Sequence, residues 1–254
     1  MITYFNTLLL TMTLCAIAVF FSLYNIKAGY GKFYNEAWGP TISNRMGWML
    51  MEAPVFFFMI GLWLTSSRAA SWPHIVVFSF FELHYFQRSF IFPMLLRGPG
   101  IMPLSIVTMG ILFNVFNALM QGGWIFYISP NGYYAPSWFA TPQFIIGSLV
   151  FVVGMAVNLH SDHIIRLLRH RGETKHYLPQ RGLFRYVTSA NYMGECIEWI
   201  GFALLSWSWA AAVFAFWTFA TLTPRAAAIY EHYRKEFPEA FAQHSRKRII
   251  PFVY

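Results

Sequence analysis

The sequence predicts an all-α integral membrane protein, a bundle of about seven transmembrane helices with the N-terminus outside and the C-terminus cytosolic. Hydrophobic residues make up 57% of the chain and charged residues only 11%, whereas a soluble domain carries about 25% charged residues. Seven apolar stretches approach the length of about 20 residues that a helix needs to cross a bilayer. With seven spans, sixteen of the 18 Lys and Arg residues fall on one side.

The seven spans are justified in order by their lengths and by the breaks between them. The first lacks the basic start of a cleaved signal peptide, so we expect it to be retained. The uncharged run from Gly98 to Leu159 must form two helices, because Pro130-Asn131-Gly132 supplies a turn within it. A short break at residues 207–209 separates the last two. The predicted spans are 4–26, 46–66, 72–95, 101–129, 143–161, 187–206 and 208–224.

The positive charge has a topological explanation. Arg68 stands alone on the outer side and Arg88 lies within a span, so the net charge of +8 reflects orientation and attraction to anionic lipid heads. We therefore expect no nucleic-acid partner. One domain over residues 1–254, a monomer, fits either the bacterial inner membrane or the endoplasmic reticulum membrane.

Four glutamates lie within the apolar spans: Glu52, Glu82, Glu195 and Glu198. An ionisable group at membrane depth costs at least ~2.5–3.5 kcal/mol on insertion scales, so such groups usually mark a proton path, an ion site or a polar pocket. The sequence therefore predicts a buried reaction or binding chamber inside the bundle.

The fifth span leaves the membrane with a polar face. Asn158, Asp162, Arg166 and Arg169 share one side of a continuing helix. Arginine forks suit bidentate contact with phosphate. The alternative is a helix end with snorkelling arginines and an Asp162–Arg166 ion pair.

The sixth span carries Asn191, Glu195 and Glu198 at positions i, i+4 and i+7 on one stripe. These carboxylates either pair structurally with Arg88 or Arg185, or they line a polar pocket. Intramembrane ionisable groups favour the pocket.

Two groups at depth are candidates for contact with a ligand. Tyr85 carries a phenol that can donate a hydrogen bond, although buried tyrosines often donate to a backbone carbonyl instead. Glu52 precedes Pro54, whose ring leaves the Leu50 carbonyl without its helical partner. Glu52 therefore either compensates for that defect or points into a cavity.

Two further patterns concern packing. Gly194 and Gly201 would allow the sixth helix to approach a neighbour closely. The tail carries an apolar stripe that predicts a helix lying against the bundle or the membrane surface. Its members are Ile229, Tyr233, Phe237 and Phe241.

Five segments of the chain carry recognisable motifs. The longest is Leu178-Pro-Gln-Arg-Gly-Leu-Phe-Arg-Tyr-Val-Thr-Ser-Ala-Asn-Tyr-Met-Gly-Glu-Cys-Ile-Glu-Trp-Ile-Gly201. The others are Asn158-Leu-His-Ser-Asp162, His84-Tyr85-Phe86 with Arg88, Trp48 through Pro54, and Ile250-Pro251-Phe252. Together these segments resemble the steroid 5α-reductases, or 3-oxo-5α-steroid 4-dehydrogenases.

This resemblance implies NADPH-dependent reduction of the 4,5 double bond of a 3-oxo-4-ene steroid, with a steroid or sterol-like lipid as substrate partner. By position, Glu52 and Tyr85 would hydrogen-bond the C3 carbonyl. The NADPH site would comprise Asn158, Asp162, Arg166, Arg169, Asn191 and Glu195, joined by Arg88, Arg97 and Tyr233.

The chain also departs from the family pattern. Met51 stands where Gln is common, Arg181-Gly182 replaces Gly-Gly, and Ala226 to Tyr230 replaces a histidine-rich stretch. These changes leave reductase chemistry intact as an expectation and leave the substrate open.

Two other functions remain as alternatives. One is a membrane methyltransferase of the isoprenylcysteine carboxyl methyltransferase type, which would use S-adenosylmethionine. The other is a lipid or proton-coupled transporter, for which inverted repeats are missing. His160 and His163 are only weak metal ligands by spacing, so we expect no metal.

Overall fold

The computed structural model describes residues 1–170, 172–173, 175–243 and 245–254. Arg171, counted above among the cytosolic basic residues, lies outside the described residues. The remainder is mainly helical. The helices are α1 (Ile2–Asn25), α2 (Asn44–Leu64), α3 (Trp72–Phe86), α4 (Phe92–Leu95), α5 (Leu104–Gly122), α6 (Pro142–Leu167), α7 (Ala190–Ser206), α8 (Trp209–Glu236) and α9 (Pro238–Ala242).

Helical segments occupy all seven predicted positions. Five of them are long and apolar enough to cross a membrane: α1, α2, α5 with its extension to Ile128, α6 and α8. The third position is composite, because α3 passes through a π-helical segment, Gln87–Ile91, into α4. The 15-residue α3 and the 17-residue α7 are shorter than the regular helices at the other five predicted positions. The side of the membrane that each terminus faces stays a prediction.

The outer faces of these helices are apolar. Leu10, Phe57, Leu112, Leu149 and Val153 are all exposed on long helices, each with more than half of its surface accessible. Exposed apolar surface on this scale suits lipid contact, since a soluble monomer rarely carries large contiguous apolar patches.

The breaks between helices follow the predicted signals. A π-helical segment, Gly123–Ile128, ends the fourth span before the Pro130 turn, and Thr141 caps α6 by accepting the Phe144 N–H at 3.3 Å. Ser206 and Trp209 bound the break between α7 and α8, and Trp207 there adopts a left-handed conformation with φ of 46°.

One expectation about the tail needs correction. The last span was predicted to end at residue 224, but α8 continues through Pro224 to Glu236. The continuation is stabilised by packing, because Ile229 and Tyr233 are buried in a cluster with Leu178 and Phe241. The predicted apolar stripe of the tail therefore lies against the bundle, as one of its two alternatives required.

A short antiparallel pair was not predicted. The strands β1 (Thr41–Ser43) and β2 (Ile101–Pro103) pair with Thr41 opposite Pro103. Because α2 follows β1 directly and α5 follows β2 directly, this pair places the starts of the two helices side by side.

Glycines bring α6 and α7 into close contact. A Cβ added at Gly201 would stand 2.2 Å from the Phe151 backbone nitrogen, and one at Gly154 would stand 2.2 Å from the Glu198 nitrogen. The same holds for Gly194, at 2.4 Å from the Asn158 nitrogen. Only glycine permits this approach, which confirms the packing role expected for Gly194 and Gly201 and brings the polar faces of the two helices together.

Candidate active site

A cavity of about 710 Å³ lies between α2, α3 and α5 through α8. This volume is typical of ligand pockets in proteins. Its wall includes ten of the eleven site residues expected from the sequence. They are Glu52, Tyr85, Arg88, Arg97, Asp162, Arg166, Arg169, Asn191, Glu195 and Tyr233.

Glu52 lies on the cavity wall, two turns or about 12 Å along α2 from its first residue. Its carboxyl oxygen Oε2 accepts a hydrogen bond from Asn114 Nδ2 on the neighbouring α5, at 3.1 Å. Of the two alternatives for Glu52, the structure favours the group that points into a cavity.

Tyr85 is 3% exposed and also lines the cavity. Its hydroxyl meets no backbone carbonyl within the described ranges. Instead its oxygen accepts a hydrogen bond from Asn117 Nδ2 at 2.9 Å. The ring packs beside Phe81 and Trp199, with centroids 4.7 and 5.9 Å away. The phenol is thus held at one place in an apolar wall.

Three amides on α5 support these two groups. Asn114, Asn117 and Gln121 lie at positions i, i+3 and i+7 on one face, and each is at most 3% exposed. Gln121 Nε2 donates to Asn117 Oδ1 at 3.3 Å and to the Ala210 carbonyl at 3.0 Å. These residues were not among the predicted site residues, although three amides at helical spacing within an apolar span are visible in the sequence.

Arg88 forms the charged centre of the site. Its guanidinium donates to Asp162 at 3.2 Å and to Glu195 at 3.3 Å, and so joins the π-helical segment to α6 and α7. Asp162 also accepts a hydrogen bond from Asn191 at 3.1 Å. The guanidinium lies 4.5 Å from the Phe92 ring centroid. One cation therefore faces a buried carboxylate, that of Asp162, and a partly buried one, that of Glu195.

This arrangement resolves two alternatives from the sequence. Asp162 pairs with Arg88 rather than with Arg166, whose guanidinium lies 3.2 Å from His163 Nδ1. Glu195 pairs with Arg88 and lines the pocket as well, so the structural and the pocket interpretations both hold for it.

Not every predicted polar residue reaches the cavity. Asn158 is buried behind the wall, where its amide donates to the Asn191 carbonyl at 3.0 Å. Glu198 is also behind the wall and pairs with His84 at 2.8 Å. Glu82 lies off the cavity, and neither of its carboxyl oxygens has a hydrogen-bond partner in the described part of the chain. Two of the four intramembrane glutamates therefore line the chamber directly, fewer than the sequence suggested.

Basic residues gather where α4 and α6 end. Arg97, Arg166 and Arg169 line this part of the wall, and none has a carboxylate within 4.0 Å among the described residues. Arg97 donates to the Arg169 carbonyl at 3.2 Å. Guanidiniums that face a cavity without an acidic partner suit an anionic ligand such as a phosphate.

The part of the wall that carries Arg97, Arg166 and Arg169 is termed the basic mouth. The segment between α1 and α2 adds Tyr30, Lys32 and Tyr34 to the cavity lining. Lys32 Nζ donates to the Tyr233 hydroxyl at 2.6 Å. Burial, together with the Arg225 and Arg169 guanidiniums, lowers the pKa of Lys32 to about 7. Arg225 lies over the Tyr30 ring at 3.8 Å. No periodic signal in the sequence places Lys32 here, because its position depends on how a loop folds back.

His176 lies at the same mouth. Burial, with smaller contributions from Arg169 and Lys32, lowers the pKa of His176 to about 4. The imidazole is therefore neutral at pH 7, while Lys32 is poised to change its charge near that pH.

The chain is similar to known steroid-reducing enzymes. The sequence profile described as 3-oxo-5-alpha-steroid 4-dehydrogenase matches residues 101–254. The chain is 38% identical over 244 residues to 3-oxo-5-alpha-steroid 4-dehydrogenase 1 of Homo sapiens. This alignment covers 94% of this chain and 92% of that protein. Its identity with steroid 5-alpha-reductase DET2 of Arabidopsis thaliana is 33% over 258 residues, covering 99% and 97%. 3-oxo-5-alpha-steroid 4-dehydrogenase 1 of Macaca fascicularis is 39% identical to this chain over 227 residues, and the alignment covers 89% of this chain and 84% of that protein.

Proposed function

The chain belongs to the 3-oxo-5-alpha-steroid 4-dehydrogenase family, and from that premise we propose that it reduces the 4,5 double bond of a 3-oxo-4-ene steroid with NADPH. The observation that carries this proposal is that Glu52 and Tyr85 share one cavity with three arginines for which the described part of the chain supplies no acidic partner. Such a cavity offers donors for a carbonyl and cations for a phosphate within reach of one another.

The reducing chemistry belongs to the cofactor. When bound, NADPH supplies the hydride that adds at C5 of the steroid. The residues present fit such a group, because the cavity offers guanidiniums for phosphates, and carboxylate and amide oxygens for hydroxyl and carboxamide groups.

The protein contribution is the stabilisation of developing charge. As a hydride adds at C5, electron density moves through the enone onto the C3 oxygen. Tyr85, and Glu52 when its carboxyl carries a proton, would donate hydrogen bonds to that oxygen in a cavity with apolar walls. A preorganised donor of this kind is typically worth ~2.7–4 kcal/mol in the transition state. C4 then takes a proton that reaches it from water or through the polar network.

The remaining site residues would hold the cofactor. Arg97, Arg166 and Arg169 would contact phosphates, while Asp162 and Glu195 would accept hydrogen bonds from ribose hydroxyl or carboxamide groups. Arg88 holds these two carboxylates in place. In the same proposal Asn191 and Tyr233 contact the cofactor directly, and Asn158 acts by fixing the Asn191 backbone.

The apolar helices indicate where the protein acts. The chain is a multi-pass membrane protein by its apolar helices. We propose that it acts as a monomer on a steroid taken from the bilayer, with the cofactor entering from the cytosol, in the endoplasmic reticulum membrane or a bacterial inner membrane. Methyl transfer and transport are not favoured, since the relatives named above are reductases and dehydrogenases.

Purified protein in detergent provides the test. With NADPH, a 3-oxo-4-ene steroid should cause NADPH oxidation, while the same steroid already saturated at C4–C5 should not. S-adenosylmethionine should transfer no methyl group to lipid acceptors. Methyl transfer, or NADPH oxidation that does not depend on the enone, would refute the proposal.

A further inference from the structure

The amide row of α5, defined as Asn114, Asn117 and Gln121, is a polar feature that hydride transfer does not itself require. These neutral side chains are almost fully buried within a membrane-spanning helix. Each hydrogen bond that they make towards the cavity ends on Glu52 or Tyr85. The donor and acceptor roles along the row can be assigned step by step.

The Asn114 amide has one possible orientation. Its Nδ2 lies 2.7 Å from the Met51 carbonyl oxygen and 3.1 Å from Glu52 Oε2. A backbone carbonyl can only accept a hydrogen bond, so the atom facing it must be the NH₂ group. Both hydrogens of that group are then used, one on the carbonyl and one on Oε2.

This orientation determines where a proton on Glu52 must reside. Because Oε2 already accepts an N–H, a proton placed on Oε2 would compete with that hydrogen bond. A protonated Glu52 therefore carries its proton on Oε1. The carboxyl thus keeps a donor available on the oxygen that Asn114 does not cap.

The second half of the row follows the same logic. The Ala210 carbonyl can only accept, so Gln121 must present its NH₂ group to it and, with the second hydrogen, to Asn117 Oδ1. Asn117 is thereby oriented with its own NH₂ group towards Tyr85. The Tyr85 oxygen accepts that N–H, and its O–H has no acceptor among the described residues.

We propose that Asn114 and Asn117 are positioning residues that cap one oxygen of Glu52 and the oxygen of Tyr85, and so turn both acidic protons towards the substrate carbonyl. The proposal rests on the function proposed above. Asn114 also supplies a polar contact to the carboxyl of Glu52 in a chain that has Met51 where the family pattern commonly has Gln. Asn114 and Asn117 are one helical turn apart, so the two donors are set by one rigid element.

Double-mutant cycles provide the test, because a residue that acts only through another has no effect once that other residue is removed. The matched pairs are Asn114→Leu with Glu52→Leu, and Asn117→Leu with Tyr85→Phe. The crossed pairs exchange the partners. The readouts are kcat, the steroid KM and the NADPH Kd of the full-length protein in detergent, and Thr108→Val, on the exposed face of the same helix, is the control.

Each asparagine variant alone should lower kcat by about 10- to 100-fold, as expected for a displaced catalytic group, with the NADPH Kd unchanged. In a matched pair, the second substitution should add almost nothing. In a crossed pair, the two reductions should multiply. Where Asn114→Leu itself loses NADPH binding, Asn114→Ala makes the same comparison without added volume.

The outcomes separate the two proposals. Matched pairs whose effects multiply like the crossed pairs would show that the amides only hold the helices together, which would overturn this inference and leave the reductase function standing. A parent protein that does not oxidise NADPH with an enone steroid would overturn both.

Discussion

Removal of one oxygen atom from Tyr85 should separate catalysis from cofactor binding. Tyr85→Phe keeps the ring against Phe81 and Trp199 and deletes the hydroxyl that we propose donates to the substrate carbonyl. One lost donor to developing negative charge is worth ~2.7–4 kcal/mol, so kcat should fall by about 10²- to 10³-fold. The NADPH Kd should hardly change, because the ion pairs of Arg88 and the arginines of the basic mouth are untouched.

The same change should have a separate, smaller effect on folding. Asn117 Nδ2 loses the acceptor that it contacts at 2.9 Å, and a buried donor left unpaired costs about 1–3 kcal/mol. Tyr85→Phe should therefore unfold at a lower temperature than the parent while it still binds NADPH.

The assay has two parts. Single-turnover reduction with NADPH already bound reports chemistry, and an equilibrium fluorescence titration reports the NADPH Kd. Tyr134→Phe is the matched control, since Tyr134 is 2% exposed and donates to the Ser206 carbonyl at 2.8 Å, away from the cavity. Parent-like turnover in Tyr85→Phe, or a loss equal to that of Tyr134→Phe, would refute the assigned role.

Three further outcomes are expected. Asp162→Ala and Arg169→Ala should raise the NADPH Kd before they affect turnover at saturating cofactor, and a normal Kd by titration in both would place the nucleotide elsewhere. Gly154→Ala should lower the thermal unfolding temperature in detergent, because overpacking typically costs about 1–3 kcal/mol. Gly61→Ala should not lower it, since outside its own stretch of helix no atom of the described residues lies within 4 Å of the added carbon. Burial lowers the pKa of Lys32 to about 7, and bound phosphates would favour its charged form, so the NADPH Kd should rise as pH increases through 7. Lys32→Arg should abolish that rise. A parent protein whose NADPH Kd does not change with pH would contradict this prediction.

Hydropathy predicted the helices well because membrane insertion imposes length and apolarity directly on the sequence. The turn at Pro130-Asn131-Gly132 and the break near residue 207 were visible for the same reason. The extension of α8 past Pro224 was not, since hydropathy falls there and the helix continues through packing of Ile229 and Tyr233. Propensity alone does not contain such tertiary contacts.

The site was predictable to the extent that charge in hydrocarbon is costly. Glu52, Arg88 and Glu195 stood out in the apolar spans on that ground. Asn114 and Asn117 did not stand out, because a neutral amide costs less free energy to bury than a charge. Their role depends on the side chains that they contact across the bundle. The pairing of Arg88 with both Asp162 and Glu195 required the three-dimensional arrangement of α6 against α7.

The most direct measurement follows the hydride itself. Purified protein is supplied with NADPH deuterated at the transferable position of the nicotinamide ring, together with a 3-oxo-4-ene steroid, and the product is analysed by mass spectrometry and NMR. We expect one deuterium per product molecule, bonded to C5, with one NADPH consumed for each double bond reduced. A product without deuterium at C5, or no reduced product while both ligands bind, would contradict the claim that this cavity is a reductase site.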